Sequence, residues 1–238
     1  YTKKELLDAG LVVQNRNGGL YDKFRNRLML PVIDTRGDVV AFGSRVLDGS
    51  EPKYMNSSET PVYSKRRVLY GLNLAKKTKR PNIILCEGNL DIVTLHQAGF
   101  DNAVASMGTA LTVEQIRLLS RFTRELVLCY DNDNAGKVAT ERALQLLDNS
   151  EFTVKVLQLP RRLVDGTYVK QDADDFIKFQ GPDAFERLLT GSENSVEFRM
   201  AQVAGKYDLQ NDEARVAYCE EISTLLASLP SAVEREIY

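Results

Sequence analysis

Acidic side chains fall in this chain where carboxylates can converge. Glu87 directly follows the apolar run NIILC, and Asp131 directly follows LVLCY, so each stands at the C-terminal end of a strand candidate. In an open parallel sheet that edge borders the ligand crevice, which lets acids far apart in sequence meet. Asp133 lies two residues beyond Asp131 in DNDNAG, a turn that opens a helical stretch and can aim both acids at one cation beside Gly136. In QDADDF, Asp172 and Asp174 follow the strand candidate TVKVLQLP and its loop, within reach of the same edge. A set of oxygen ligands without histidine suits hard cations, Mg²⁺ or Mn²⁺, which bind through a few carboxylates plus substrate phosphates. The matching chemistry is phosphoryl transfer, in which two such ions about 4 Å apart activate an attacking hydroxyl and stabilise a leaving oxygen. Each acid alone has a plainer reading: an Asp after a strand also caps helices and turns, and acids at a helix start suit its dipole. Three clusters together are more specific than any one.

Positioning these acids requires strands alternating with helices. NIILC, NAVAS, LVLCYD and TVKVLQLP read as strands, while LDIVTLHQAGF, LTVEQIRLLSRF and NAGKVATERALQLL read as helices, with Thr112 as an N-cap. Residues 173–190 read as helical. This alternation predicts a mainly parallel sheet with helices on both faces. Upstream, RLMLPVID and DVVAFGSRVL read as two β runs around the turn TRGD, and KKTKRPN is a polar break. Downstream, 195–206 and 211–229 read as helices; Cys219, Ile222, Leu226 and Leu229 form one apolar stripe for docking on a neighbouring surface. The fold class is therefore α/β, α+β overall. A basic, β-rich, mixed N-terminal subdomain spans 1–80, a metal-binding catalytic domain 81–190, and a helical subdomain 191–238.

Charge divides the same way. Residues 22–80 hold 13 Lys and Arg against 6 Asp and Glu, whereas residues 81–190 hold 11 against 16, inside a chain of net charge -2. A basic module beside an acidic one suits a phosphate backbone tracked past a metal centre. With 238 residues, 43% of them hydrophobic, the chain can bury a substantial core without staples. Cys86 and Cys129 lie inside apolar runs and Cys219 has no near partner, so neither a disulfide nor a zinc site is expected. His96, the one histidine, sits in an apolar helical pattern and is read as structural. No run approaches the roughly 20 apolar residues of a membrane span. The opening YTKKELLDAG lacks a secretion-signal layout, and a first residue other than Met suggests a piece of something longer. The expected location is cytoplasmic.

CEGNLD, followed by YDNDNAG and then QDAD, resembles the Toprim pattern shared by primases, topoisomerases and some nucleases. The flanks decide among these. FRNRLMLPVIDTRGDVVAFGSRVL, EPKYMNSSETPVYSKRRVLYGL, ASMGTALTVEQIRLL, LPRRLVDGTYVKQDADDF and the tail KYDL followed by LPSAVEREIY are similar to the catalytic core of bacterial DnaG-type primases, over nearly the whole chain. Departures are modest: DND stands where DGD is common and QDAD where a DPD form is common, with the acids kept. The resemblance implies that Glu87, Asp131 and Asp133 are the principal Mg²⁺ (or Mn²⁺) ligands, with Asp91, Asp172 and Asp174 as further ligands or orienting groups. It also implies that Arg25, Arg27, Arg45, Lys53, Tyr54, Asn56 and Lys65 hold template or triphosphate. Lys76, Lys77, Lys79 and Arg80, in the polar break, are read as solvated surface charges.

The implied function is primer synthesis at the replication fork: an RNA 3′-hydroxyl attacks the α-phosphate of a ribonucleoside triphosphate on a single-stranded DNA template. The implied partners are template, RNA primer and nucleoside triphosphates, together with a zinc-binding domain and a replicative helicase reached through parts of a longer protein; no membrane is involved. Three competing readings remain. A Toprim nuclease or topoisomerase fragment would use the same acids on a DNA phosphodiester, but a topoisomerase needs a nucleophilic tyrosine that none of the ten tyrosines supplies recognisably. A DNA-binding adaptor without turnover has no need of the acid cluster. A receiver or phosphatase-like domain should carry an acceptor Asp after its first strand, where this chain has Glu87.

Overall fold

The structure, a computed structural model, describes residues 1–108, 110–229 and 231–238. The chain opens with α1 (Lys3–Asp8), whose N-cap Thr2 and third-position Glu5 satisfy each other's backbone amides. A short hairpin, β1 (Val12–Gln14) and β2 (Leu20–Asp22), leads into a three-stranded antiparallel sheet of β3 (Arg27–Ile33), β4 (Val39–Val46) and β5 (Tyr54–Asn56). The turn between β3 and β4 is set by Asp34, whose carboxylate accepts the amides of Arg36, Gly37 and Asp38, while Gly37 takes φ +104°. Alternation along these strands buries Leu30, Val32 and Ala41 on one side, while Val46 is buried on the other.

After α2 (Leu72–Ala75) come β6 (Asn82–Cys86), α3 (Asn89–Gln97), β7 (Ala103–Ala105), α4 (Val113–Leu119), β8 (Glu125–Leu128), α5 (Asn134–Leu147) and β9 (Thr153–Val156). Strands β9, β8, β6 and β7 lie side by side in that order and run parallel. Ile83, Ile84, Leu85 and Cys86 are all buried, because helices cover both faces of the sheet. One face packs Leu72, Ile116, Leu119, Leu144 and Leu147 against the sheet; the other packs Ile92, Leu95, Phe176, Phe185 and Leu189.

Beyond β9 the chain forms a hairpin, β10 (Arg162–Val164) and β11 (Thr167–Val169), then α6 (Ala173–Gln180), α7 (Pro182–Thr190), β12 (Glu193–Asn194), α8 (Ser195–Ala204), α9 (Asp212–Ala227) and α10 (Ala232–Ile237). Strand β12 adds an antiparallel edge beside β9. Three details differ from the sequence reading. Residues 173–190 form two helices, because Gly181 adopts φ +82° and Pro182 starts a new first turn. The segment read as a loop after TVKVLQLP folds as β10–β11, closed by Asp165 and Gly166 at φ +48° and +77°, the two-residue turn that matches strand twist. The stripe on α9 is only partly docked: Leu229 is buried and Ile222 and Leu226 are half-buried, but Cys219 is exposed. Among the described residues no helix is long and apolar enough to cross a membrane.

Candidate active site

The strand order places β6 and β8 as neighbours, so the segments leaving their C-terminal ends start side by side. Glu87 follows β6 immediately, and its Oε1 accepts the backbone amide of Asp131 at 3.2 Å. Asp133 is the N-cap of α5, accepting the amide of Gly136 at 2.8 Å. Asp172 is likewise the N-cap of α6, accepting the amide of Asp175 at 2.8 Å. The plainer reading of these two acids as helix caps thus holds, and capping fixes the carboxylates where they stand. Asp91, in the first turn of α3, is buried and uses both oxygens, one for the amide of Gly88 and one for that of Asp174, each at 3.1 Å. That second bond ties α6 to α3 and draws the third acidic cluster to the first.

A cleft of about 290 Å³ lies where these groups meet. Its walls carry Glu87, Asp91, Asp131, Asp172 and Asp174 together with Tyr54 and Asn56 from β5, so the basic module closes one side of the acidic edge. Asn56 also donates its amide to the carbonyl of Met107 at 3.3 Å, which fastens β5 to the segment beyond β7.

Crowded acids inside a cleft resist ionisation. Burial, then the nearby Asp131, raises Glu87 above the usual carboxylate range, and burial is the first cause that raises Asp131. Burial and then Asp172 push Asp91 up to about 7. Asp133 moves the other way, lowered by the Gly136 amide it accepts and by Lys170. Asp172, Asp174 and Asp175 bring carboxylate oxygens within 4.8 Å of one another. Among the described residues the cleft offers oxygen ligands, chiefly carboxylates, and no imidazole or thiol: His96 shares Nε2 with the carbonyl of Ala103 at 2.8 Å, and Cys86 and Cys129 are buried in the core. These residues fit a hard divalent cation, with oxygens clustered at the helix starts and negative charge in excess.

Two residues at this edge were missed in the sequence. Asp175 adds a third carboxylate beside Asp172 and Asp174, and the DADD run would have suggested it. Lys170 places Nζ 3.2 Å from Asp131 and 2.9 Å from Asp133. Nothing in its spacing marked it, because the preceding hairpin that delivers it was read as a loop.

The basic candidates do not form one cluster. Arg45 and Lys53 lie over the Tyr54 ring, 5.8 and 5.5 Å from its centroid, beside the cleft. Arg27 is tied to the Lys53 loop, donating to the carbonyl of Pro52 at 2.7 Å. Arg25 sits over Tyr21, 5.1 Å from the ring centroid, and the backbone carbonyl of Lys65 is held by buried Gln115. Of the charges read as purely solvated, two make structural contacts instead: Lys76 donates to the carbonyl of Thr35, and Arg80 pairs with Glu186 at 3.0 Å while lying over Phe100.

Three family models match the chain in succession: the N-terminal domain of the DNA primase catalytic core over residues 1–76, a Toprim-like domain over 84–177, and the DnaB-helicase binding domain of primase over 196–238. A solved DNA primase domain from Pseudomonas aeruginosa is 36% identical, with a TM-score of 0.81 over 98% of this chain and 73% of that one. The chain belongs to the DNA primase catalytic-core family. Another primase-family structure, the RNA polymerase domain of Mycobacterium tuberculosis DnaG in complex with double-stranded DNA, superposes with a TM-score of 0.83 at 32% identity, covering all of this chain and 75% of that one. The DNA primase of Clostridium acetobutylicum is 41% identical over 239 residues, which cover all of this chain and 38% of that protein. The primase-family core thus spans about two fifths of the length of this curated relative. The helicase-binding match falls within the present residues, on α8 to α10, where the sequence reading placed a helical subdomain and looked for helicase contacts further along a longer protein.

Proposed function

We propose that this chain carries the polymerising centre of a bacterial primase, joining ribonucleotides into a short RNA on single-stranded DNA. The observation that carries the reading is the shared cleft, which sets five carboxylates of the Toprim edge against Tyr54 and Asn56 of the basic module. Glu87, Asp131 and Asp133 are the principal ligands of Mg²⁺ or Mn²⁺, and Asp91, Asp172 and Asp174 orient or complete the set. When bound, the cation supplies charge neutralisation for the triphosphate and activation of the attacking hydroxyl.

The chain's own groups do the rest. The Gly88 and Asp174 amides hold Asp91 in place, and Asp91 in turn fixes the start of α6. Capping at α5 and α6 sets the directions of Asp133 and Asp172. Arg45 and Lys53, flanking the half-exposed Tyr54 ring, place positive charge beside a surface on which a base can stack. Arg25, Arg27 and Lys65 extend the basic surface, Arg27 by bracing the Lys53 loop.

The division at residues 80 and 190 belongs to the same reading, with template along 1–80, chemistry in 81–190, and α8 to α10 in 191–238 as a helicase-facing unit. A solved DnaG catalytic domain bound to single-stranded DNA, 34% identical, supports the template assignment. Nucleoside triphosphates, the RNA primer and a zinc-binding domain complete the proposed partners, in the cytoplasm at the replication fork.

The test is incorporation of labelled ribonucleotides on single-stranded DNA with Mg²⁺ or Mn²⁺, comparing wild type and Asp131→Ala, with a primase zinc-binding domain supplied in trans. RNA that depends on the cation and vanishes in the variant is the expected result. DNA cleavage without RNA, dependent on the same cation and residue, would replace this reading with a Toprim nuclease.

A further inference from the structure

Among the described residues, Lys170 is the one basic group that bridges two proposed cation ligands. Its ammonium lies 3.2 Å from Asp131 Oδ2 and 2.9 Å from Asp133 Oδ2. Two carboxylates held this close by β8 and the start of α5 repel each other, and a single positive charge between them relieves the repulsion. Lys178, by comparison, pairs with Asp174 one turn away on its own helix, where the contact can do no more than brace α6. Lys170 instead reaches from a different element: it follows β11 immediately and so joins the β10–β11 hairpin to the acidic edge.

Among the described residues the hairpin has few other moorings, and Asn132 donates to the carbonyl of Leu159 just ahead of it at 3.1 Å. Arg162 lies over Phe179, 3.6 Å from the ring centroid, and Gln171 donates to the carbonyl of Pro160 at 2.6 Å. Its cross-strand pair Leu163 and Tyr168 is exposed to solvent. The Lys170 side chain is itself 58% exposed, so its ammonium can leave the carboxylates for water at small cost. A lysine is suited to such exchange, being a compact charge on a flexible stem where arginine would lock a planar fork.

We propose that Lys170 is a tethered counter-ion of Asp131 and Asp133, which a divalent cation must displace, so that cation binding and release of the β10–β11 hairpin are coupled. The proposal rests on the reading of these two acids as cation ligands. Its consequence is that part of the negative charge on Asp131 and Asp133 is neutralised before the cation arrives, at the expense of affinity.

The experiment is Mn²⁺ binding followed by the electron paramagnetic resonance of free Mn²⁺, for the wild type, Lys170→Gln, Lys170→Met, Lys170→Arg and Asp131→Asn. Amide hydrogen exchange over residues 162–169 is measured alongside. The two neutral variants should bind Mn²⁺ about three- to tenfold tighter, the range expected for losing two part-exposed ion pairs, and Lys170→Arg should bind no tighter than wild type. Exchange in the hairpin should quicken on adding Mn²⁺ in the wild type, and should be fast with or without Mn²⁺ in the neutral variants. Unchanged or weaker binding in both neutral variants, with wild-type binding lost in Asp131→Asn, overturns the counter-ion role and leaves the ligand assignment standing. Wild-type hairpin exchange that ignores Mn²⁺ overturns the coupling. Equal Mn²⁺ binding by wild type and Asp131→Asn removes the ligand assignment itself, and the counter-ion with it.

Discussion

Gly136 stands directly against the backbone of Asp131, so close that a Cβ added to it would lie 1.9 Å from the Asp131 carbonyl oxygen. That contact involves backbone on both sides and cannot be relieved by a rotamer change. It also explains why the turn DNDNAG can bring Asp131 and Asp133 together at the start of α5: the chain doubles back over its own peptide, and only glycine leaves room.

Gly136→Ala should therefore cost more than the 1–3 kcal/mol typical of overpacking, because α5 or Asp131 must shift. Expected outcomes are a clearly lower Tm and loss of the Tm increase that Mg²⁺ or Mn²⁺ gives the wild type. Scanning calorimetry with chelator and with cation checks both; an unchanged cation response would mean that this packing does not shape the site.

Glu87→Gln should separate stability from chemistry. The new amide keeps an oxygen for the Asp131 amide but removes a charge that burial and Asp131 both disfavour. In chelator at neutral pH the variant should melt above the wild type, by an amount held down by the solvent exposure of Glu87. Cation-dependent ribonucleotide incorporation should fall to background. A variant less stable than the wild type under those conditions would contradict the electrostatic strain assigned to this pair.

Asp91 sets the pH dependence. Its carboxyl is raised to about 7 in the folded chain, whereas an unfolded Asp titrates near 3.9. Below about pH 4 both states hold the proton and the contribution to stability is complete; between 4 and 7 only the folded state retains it, so stability declines, and above 7 the loss levels off. Asn at this position gives up one amide bond at every pH and has nothing to titrate. In chelator, the Tm advantage of the wild type over Asp91→Asn should shrink between pH 5 and pH 8 by roughly 5–10 °C. Added Mg²⁺ should stabilise the wild type more at pH 8 than at pH 6, because ligands must be deprotonated. A Tm difference independent of pH would show that Asp91 is ionised throughout.

Gln115 links the core to the basic surface. Fully buried, it donates to the carbonyls of Lys65 and Val68, both at 3.0 Å, and accepts the Thr112 amide at 3.1 Å. Gln115→Leu leaves these groups without partners, at about 2–4 kcal/mol, and should weaken single-stranded DNA binding although no charge is removed. The slope of affinity against salt should stay as in the wild type, whereas Lys53→Gln should reduce it by about 0.7 per lost phosphate contact. Titrations across salt concentrations distinguish the two effects, and a slope unaltered by Lys53→Gln would take that residue out of the phosphate path.

Much of this molecule was legible from local pattern. NIILC and LVLCY announce buried parallel strands, because a sheet covered on both faces needs unbroken apolar runs, and β6 and β8 are found there. Thr112 announces the start of α4 as its N-cap, and in the structure Thr112 and Gln115 cap each other. Residues 173–190 were read as helical as a whole, whereas Gly181 and Pro182 divide them into α6 and α7. The Asp165–Gly166 turn was also in plain view, but LVDGTYV is short and its exposed Leu163 and Tyr168 give no buried face to mark a strand.

The sequence by itself determined which groups are present and which strand ends carry them: Glu87 after β6, Asp131 after β8, and acids at the starts of α5 and α6. Local rules suffice there, since burial period, capping and turn chemistry act within a few residues. Only the tertiary structure decided that β6 and β8 are neighbours, that Asp91 ties α3 to α6, that Tyr54 closes the cleft from the basic module, and that Lys170 reaches Asp131 and Asp133. Those contacts join segments tens of residues apart, and their distances follow from strand order and helix packing, to which no spacing along the chain is a guide.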